Sequence, residues 1–224
     1  MKNIILKTTL LFVSFLTFAQ NNESNCNYND SIFKLLPSEM TFNIEKYKVE
    51  LQKGTEKKII INNENYEKYF RGDTTSIHYV QLNKILKINK TITYYPNGKI
   101  ESFDIFHNPE EGLVTGLNKR MYFNVDGTIE EEKDIDKGYK ICYDEAINIV
   151  KKIVGEKKIK RYELKFSVGR VDLNKFTESN AEWYVGVKGN DEFYNRNKKS
   201  HLITYVIDGI TGKFISKRIN RIVP

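Results

Sequence analysis

The chain of 224 residues carries a formal net charge of +7 and is 40% hydrophobic. It is long enough for one large or two small domains and apolar enough to build a real core. The charge is uneven: from Glu156 to Pro224 fifteen Lys/Arg face eight Asp/Glu, whereas residues 20–155 carry nineteen against twenty-one. A basic C-terminal half favours an anionic surface or partner, the plainer reading being a soluble domain that happens to be basic. No recognisable nucleic-acid-binding motif occurs, which argues against that class of partner.

The first segment, "MKNIILKTTLLFVSFLTFAQ", has early lysines (Lys2, Lys7), an apolar stretch from Leu10 to Phe18, and small side chains at Thr17 and Ala19. That order reads as a signal peptide over residues 1–19, cleaved before Gln20. The apolar stretch is too short for a span of about 20 residues; the alternative is a buried N-terminal helix. Cys26 lies too far downstream of the cleavage site to carry a lipid. With no other stretch able to cross a membrane, the mature chain is expected to be exported, periplasmic or secreted, without a membrane span.

Two cysteines, Cys26 and Cys142, remain after cleavage. In an oxidising compartment an even pair suggests one disulfide, tying the mature N-terminus to the start of a later helix. The alternative is two free buried thiols. Neither sits in a C-x-x-C, so no redox or zinc site is indicated.

Residues 20–138 read mostly as strands and turns. "KYKVELQKGTEKKIIINN" suggests two strands joined around Gly54, "NYEKYF" (Asn65–Phe70) a short helix, and "IHYVQLNKILKI" a strand pair. A phrase then recurs: Tyr94-x-x-Asn97-Gly98-x-Ile100-Glu101 matches Phe123-x-x-Asp126-Gly127-x-Ile129-Glu130. Asn-Gly and Asp-Gly suit type I′ hairpin turns, with the flanking aromatic and Ile residues on one face. "GLNKRMYFNVDGTIEEEKDIDKG" resembles the MORN-like repeats of a family often labelled as an antitoxin component, through Gly116, Tyr122, Phe123, Asp126, Gly127, Ile129 and Gly138. The resemblance implies neighbouring hairpins within residues 91–138 that share an apolar face; an exported chain does not suit antitoxin activity.

After Gly138 the pattern changes. "YDEAINIVKKIVG" is an amphipathic helix with Ala146, Ile149, Val150 and Ile153 at i, i+3, i+4 and i+7, acidic residues at its start, lysines at its end and Gly155 as a cap. "RYELKFSV", "EWYVGV" (Trp183, Val185 and Val187 on one face), "HLITYVID" and "KFISKRI" follow as four strands. The segment 139–224 resembles a PepSY domain, a family related to protease propeptides, on Glu145, Ala146, Trp183, Tyr184, Val185, Asp208, Thr211 and Gly212. In "YVIDGITGKFI", Asp208 can accept turn hydrogen bonds and Gly212 can supply positive φ, so these residues are expected to be structural.

The fold class expected is therefore α+β: antiparallel hairpin repeats followed by a helix packed on an antiparallel sheet. No catalytic motif, nucleotide loop or Ca²⁺ loop occurs, and His78, His107 and His201 have no paired spacing. No enzyme activity, cofactor or metal is expected; "EEEKDIDKG" reads as a solvated acidic face and "RGD" (Arg71–Asp73) as chance in a charged loop. The PepSY resemblance implies a protein partner, a secreted peptidase acted on in trans. The competing class is a structural envelope protein built on the hairpin repeats. A third is a small-ligand carrier, which requires an apolar pocket between sheet and helix. The long polar insertion Lys188–Ser200 offers a candidate partner-binding element in Phe193, Tyr194, Arg196, Lys198 and Lys199, the plainer reading being a solvated, mobile loop.

Overall fold

The computed structural model describes residues 26, 28–54, 56–108, 113–171, 173, 180–196 and 202–219. The expected signal peptide, Lys198 and Lys199 lie outside the described residues, as do the side chains of Tyr194 and Arg196. No helix among the described residues is long and apolar enough to cross a membrane.

The fold is mostly antiparallel β-sheet with a few helices. Short 3-10 turns at Ser31–Phe33, Pro37–Glu39 and Glu45–Tyr47 lead into α1 (Lys48–Gln52). The first sheet then contains β1 (Lys58–Asn62), β2 (Tyr66–Gly72), β3 (Ile77–Asn83), β4 (Ile88–Tyr94), β5 (Ile100–His107), β6 (Thr115–Gly116), β7 (Lys119–Phe123) and β8 (Ile129–Asp134). It is a meander in the order β1-β2-β3-β4-β5-β7-β8, with β6 paired to β5. Next come α2 (Tyr143–Val154) and α3 (Glu156–Arg161), then β9 (Lys165–Arg170), β10 (Glu182–Lys188), α4 (Asp191–Arg196), β11 (Leu202–Asp208) and β12 (Phe214–Ile219). The last four strands form a second sheet in the order β12-β11-β10-β9. One hydrophobic cluster runs through both sheets.

Several expectations are corrected. The first half of "KYKVELQKGTEKKIIINN" is helical, because Tyr47 and Leu51 fall on one helical face and Gly54, at φ 61°, closes the helix with its N–H on the Leu51 carbonyl (3.1 Å). "NYEKYF" is strand: Tyr66 to Gly72 pair residue by residue with Asn83 to Ile77, and ladder pairing overrides a weak local helical preference. The Asn-Gly and Asp-Gly turns are not type I′, which needs positive φ at both central residues. Only Gly98 (φ 80°) and Gly127 (φ 89°) are positive. Each closes a three-residue loop, with Tyr95 N–H on the Lys99 carbonyl and Asn124 N–H on the Thr128 carbonyl, both at 2.9 Å. A register shift follows at the base of each hairpin, where such loops place a bulge. Of the paired isoleucines, Ile100 is fully buried whereas Ile129, on β8, is 56% exposed.

The stripe of α2 is also displaced. Tyr143, Ala146, Ile147, Val150 and Val154 are buried, while Ile149 is half-buried and Ile153 is exposed. The apolar arc of this helix is wider than the strip of sheet it covers.

The N-terminal segment crosses one face of the first sheet as a strap. Ile32 and Phe33 are buried, and the Lys90 ammonium rises from the middle of β4, fully buried, to donate to the Lys34 (2.7 Å) and Ser31 (3.3 Å) carbonyls. It pairs with the Glu39 carboxylate at 2.8 Å, and Gln81 donates to that same carboxylate. Burial pulls the Lys90 pKa down, partly offset by Glu39. Tyr94 closes the strap by donating its hydroxyl to the Glu39 carbonyl (2.9 Å).

Candidate functional site

Most of the residues singled out in the sequence have structural work. Cys26 and Cys142 are joined in a disulfide with a Cα–Cα distance of 5.3 Å, bridging a sequence separation of 116. Asp208 Oδ1 accepts from the Ile210 N–H (3.0 Å), the Thr211 N–H (2.7 Å) and the Thr211 hydroxyl (2.9 Å), and Gly212 takes φ 71°. These bonds hold the Asp208 carboxyl below its ordinary range. Asp126 does the same for Thr128, and Asn97 for the Lys99 N–H. Arg71–Asp73 sits at the β2–β3 turn, where Asp73 Oδ1 binds Thr75 and Ser76 N–H groups. A Cβ on Gly72 would lie 1.9 Å from the Ser76 carbonyl oxygen, so the central glycine of that tripeptide has a steric cause.

A buried polar junction was not legible in the sequence. Asp136, between the sheets, pairs with Arg170 of β9, each side chain 3% exposed. Tyr28 donates its hydroxyl to Asp136, and the Asn118 N–H adds a bond at 3.0 Å. Arg170 also donates to the Gly116 carbonyl (2.7 Å) and lies 5.1 Å from both the Tyr139 and Trp183 ring centres. Burial and the Asp136 charge drive the Tyr28 pKa up. These bonds join the strap, the first sheet and the second, which marks the junction as architecture.

The insertion after β10 is partly helical rather than a free loop. Phe193 of α4 is only 6% exposed, its ring 5.7 Å from that of Tyr162. As an exposed anchor Phe193 is therefore corrected: the apolar ring closes over the end of the second sheet instead of facing solvent. Arg161 pairs with Glu192 across the same contact.

Two surfaces remain without an obvious structural purpose. The first is β1. It pairs with β2 on one side, and its three consecutive isoleucines, Ile59 (51%), Ile60 (37%) and Ile61 (47%), are all exposed. A shift in register between Ile59 and Ile61 breaks the simple alternation that would have hidden one face. The second is a cleft beside α2, closed at one end by Phe193.

No protein-family model, curated protein or solved structure matches the chain. Among the described residues no group of three or more His, Cys, Asp or Glu side chains is placed to hold a metal. His78 bonds to Ser76 and Thr93, while His107 is buried against Tyr143.

Proposed function

We propose that this chain is an exported, non-enzymatic protein-binding or regulatory module whose partner adds to the open edge of the first sheet. The observation that carries this is β1. An edge strand presents unpaired main-chain groups, and natural proteins ordinarily guard such an edge with charge, proline or cover. Here charge guards only the start of the strand, at Lys57 and Lys58, and the edge then exposes Ile59, Ile60 and Ile61, a run that is functional or a liability. An extended partner segment would find both main-chain hydrogen bonds and apolar contacts there, the mode of strand addition. The PepSY resemblance of residues 139–224 supplies the partner class, a secreted peptidase restrained or chaperoned in trans.

The test is capture from an envelope extract by the mature, oxidised protein, compared with Ile59→Lys/Ile61→Lys. Both positions are exposed, so the thermal midpoint should hold. A peptidase identified by mass spectrometry should be retained by the wild type and lost by the variant, and its activity should fall when the wild type is added. Equal capture by both proteins removes the edge from the reading.

A second reading, an envelope platform built on the hairpins, is favoured by one set of contacts. The Tyr95 hydroxyl donates to the Phe123 carbonyl (2.8 Å), Asn97 to the Val125 carbonyl (3.3 Å) and Lys99 to the Asp126 carbonyl (2.9 Å). The two turns thus lie side by side and present one composite surface. Capture lost on changing Asn97 and Lys99, but not the β1 isoleucines, would favour it.

A further inference from the structure

The apolar arc of α2 extends beyond the sheet and leaves Ile153 46% exposed. Ile153 stands at a cleft of about 250 Å³. Val187 of β10 and Ile203 of β11 line it, each 1% exposed, together with Leu164 and Phe193. β10 and β11 are both interior strands, so their main-chain groups are already committed to ladders on either side. The cleft therefore offers a ligand side chains, not a peptide edge.

The charged groups among its lining residues are both cations: Lys158 from α3 and Lys217 from β12, each exposed. Neither makes an ion pair with another described residue; Lys217 Nζ lies 5.6 Å from the Tyr205 ring centre. The short helix α3 adds Lys157 and Lys160, against one acidic residue, Glu156, in its first turn; its Arg161 is spent on Glu192. A cleft lined by apolar side chains and two lysines complements a molecule that is apolar along its body and negative at one end. The volume exceeds the roughly 150 Å³ cavity that admits benzene. It stays below the roughly 300 Å³ at which sites for drug-sized ligands begin. One flexible tail fits that range better than a fused ring system. A peptide chain would bury amides that side chains of this kind cannot satisfy.

We infer that this cleft is a binding site for a medium-chain fatty acid, its tail against Val187 and Ile203 and its carboxylate at Lys158 and Lys217. The assignment is independent of the β1 edge and of any peptidase partner.

The probe is decanoate, titrated below its critical micelle concentration into isotopically labelled, oxidised mature protein, with decanol as the uncharged twin. Decanoate should bind saturably, with amide shifts concentrated at residues 153–164, 187, 203–205 and 217. Decanol should bind about tenfold more weakly, the loss expected for one charged contact. Lys158→Ala/Lys217→Ala should bring decanoate down to the affinity of decanol while leaving decanol unchanged, and raised salt should weaken decanoate alone. Because both lysines are exposed, the variant is expected to keep its fold, which its amide spectrum reports directly. Absence of saturable binding, shifts centred elsewhere, or indifference of decanoate to loss of both lysines overturns the assignment. So does tighter binding at the same amides by a short peptide ending in a leucine carboxylate, which would give the site to a chain terminus.

Discussion

Asp136→Ala tests how the two sheets are held together. The substitution removes the carboxylate that faces Arg170 and leaves the guanidinium 3% exposed between Tyr139 and Trp183, with the Gly116 carbonyl as its remaining acceptor described here. Removing one partner of a buried ion pair costs roughly 3–5 kcal/mol, because the other charge stays desolvated. The Tyr28 hydroxyl and the Asn118 N–H lose their acceptor at the same time. These losses are shared rather than additive, so about 4 kcal/mol is expected overall. For a chain of this size that corresponds to a fall of about 8–16 °C in the thermal midpoint. Urea denaturation followed by circular dichroism, with the disulfide intact, measures it. The companion variant Asp136→Leu/Arg170→Met removes both charges and should recover much of the loss, less up to about 2 kcal/mol for the ring contacts of Arg170. A single variant that loses under about 1 kcal/mol, or a double variant less stable than the single, would refute the account of the junction as a desolvated pair.

Three further outcomes are expected. Reduction of Cys26–Cys142 should lower stability by up to about 4–5 kcal/mol on the loop-entropy model, read as a fall in the urea midpoint with reductant; an unchanged midpoint would show that the strap is already ordered in the denatured chain. Burial holds the His107 pKa down at about 4, whereas the unfolded chain takes up that proton near pH 6.5. The stability this residue contributes is therefore complete above about pH 6.5 and is lost as pH falls towards 4, by at most about 3–4 kcal/mol, so His107→Leu should flatten the stability profile in that window and an unaltered slope would count against it. Gly127→Ala should cost about 1–2 kcal/mol for its left-handed φ alone, since its Cβ would meet only Lys99 Cδ at 3.8 Å. Gly98→Ala should cost more, because its Cβ would lie 2.6 Å from the Phe42 carbonyl oxygen; equal costs would show that the strap yields at that point.

The parts of the fold written in short-range pattern were legible in the sequence. The order of one long helix and four strands after Gly138 follows from a 3.6 period giving way to a period of two, and Gly98, Gly127 and Gly212 mark positive-φ turns. What failed depended on partners remote in sequence. β2 looked helical because its ladder with β3 is invisible in six residues. Phe193 looked like an exposed anchor because Tyr162, which it covers, lies about thirty residues earlier, at the end of α3. The strap has no period at all; it is fixed by Lys90, Gln81 and Tyr94, which read locally as ordinary strand residues. The Asp136–Arg170 pair joins a turn to a strand and left no signature in either. The β1 isoleucines were visible as a strand, but their exposure depends on which side of the sheet remains unpaired.

The strap has a consequence for the order in which the chain can mature. Its residues precede both sheets, and its fastenings arrive in two instalments: Gln81, Lys90 and Tyr94 with β3 and β4, and Cys142 only 116 positions after Cys26. Ile32 and Phe33 have their β4 partners as soon as that strand is made, whereas Cys26 has no native thiol to meet until α2 begins. A single early cysteine waiting for one late partner cannot mispair within its own chain. Its hazard is intermolecular, a mixed disulfide between two half-made chains.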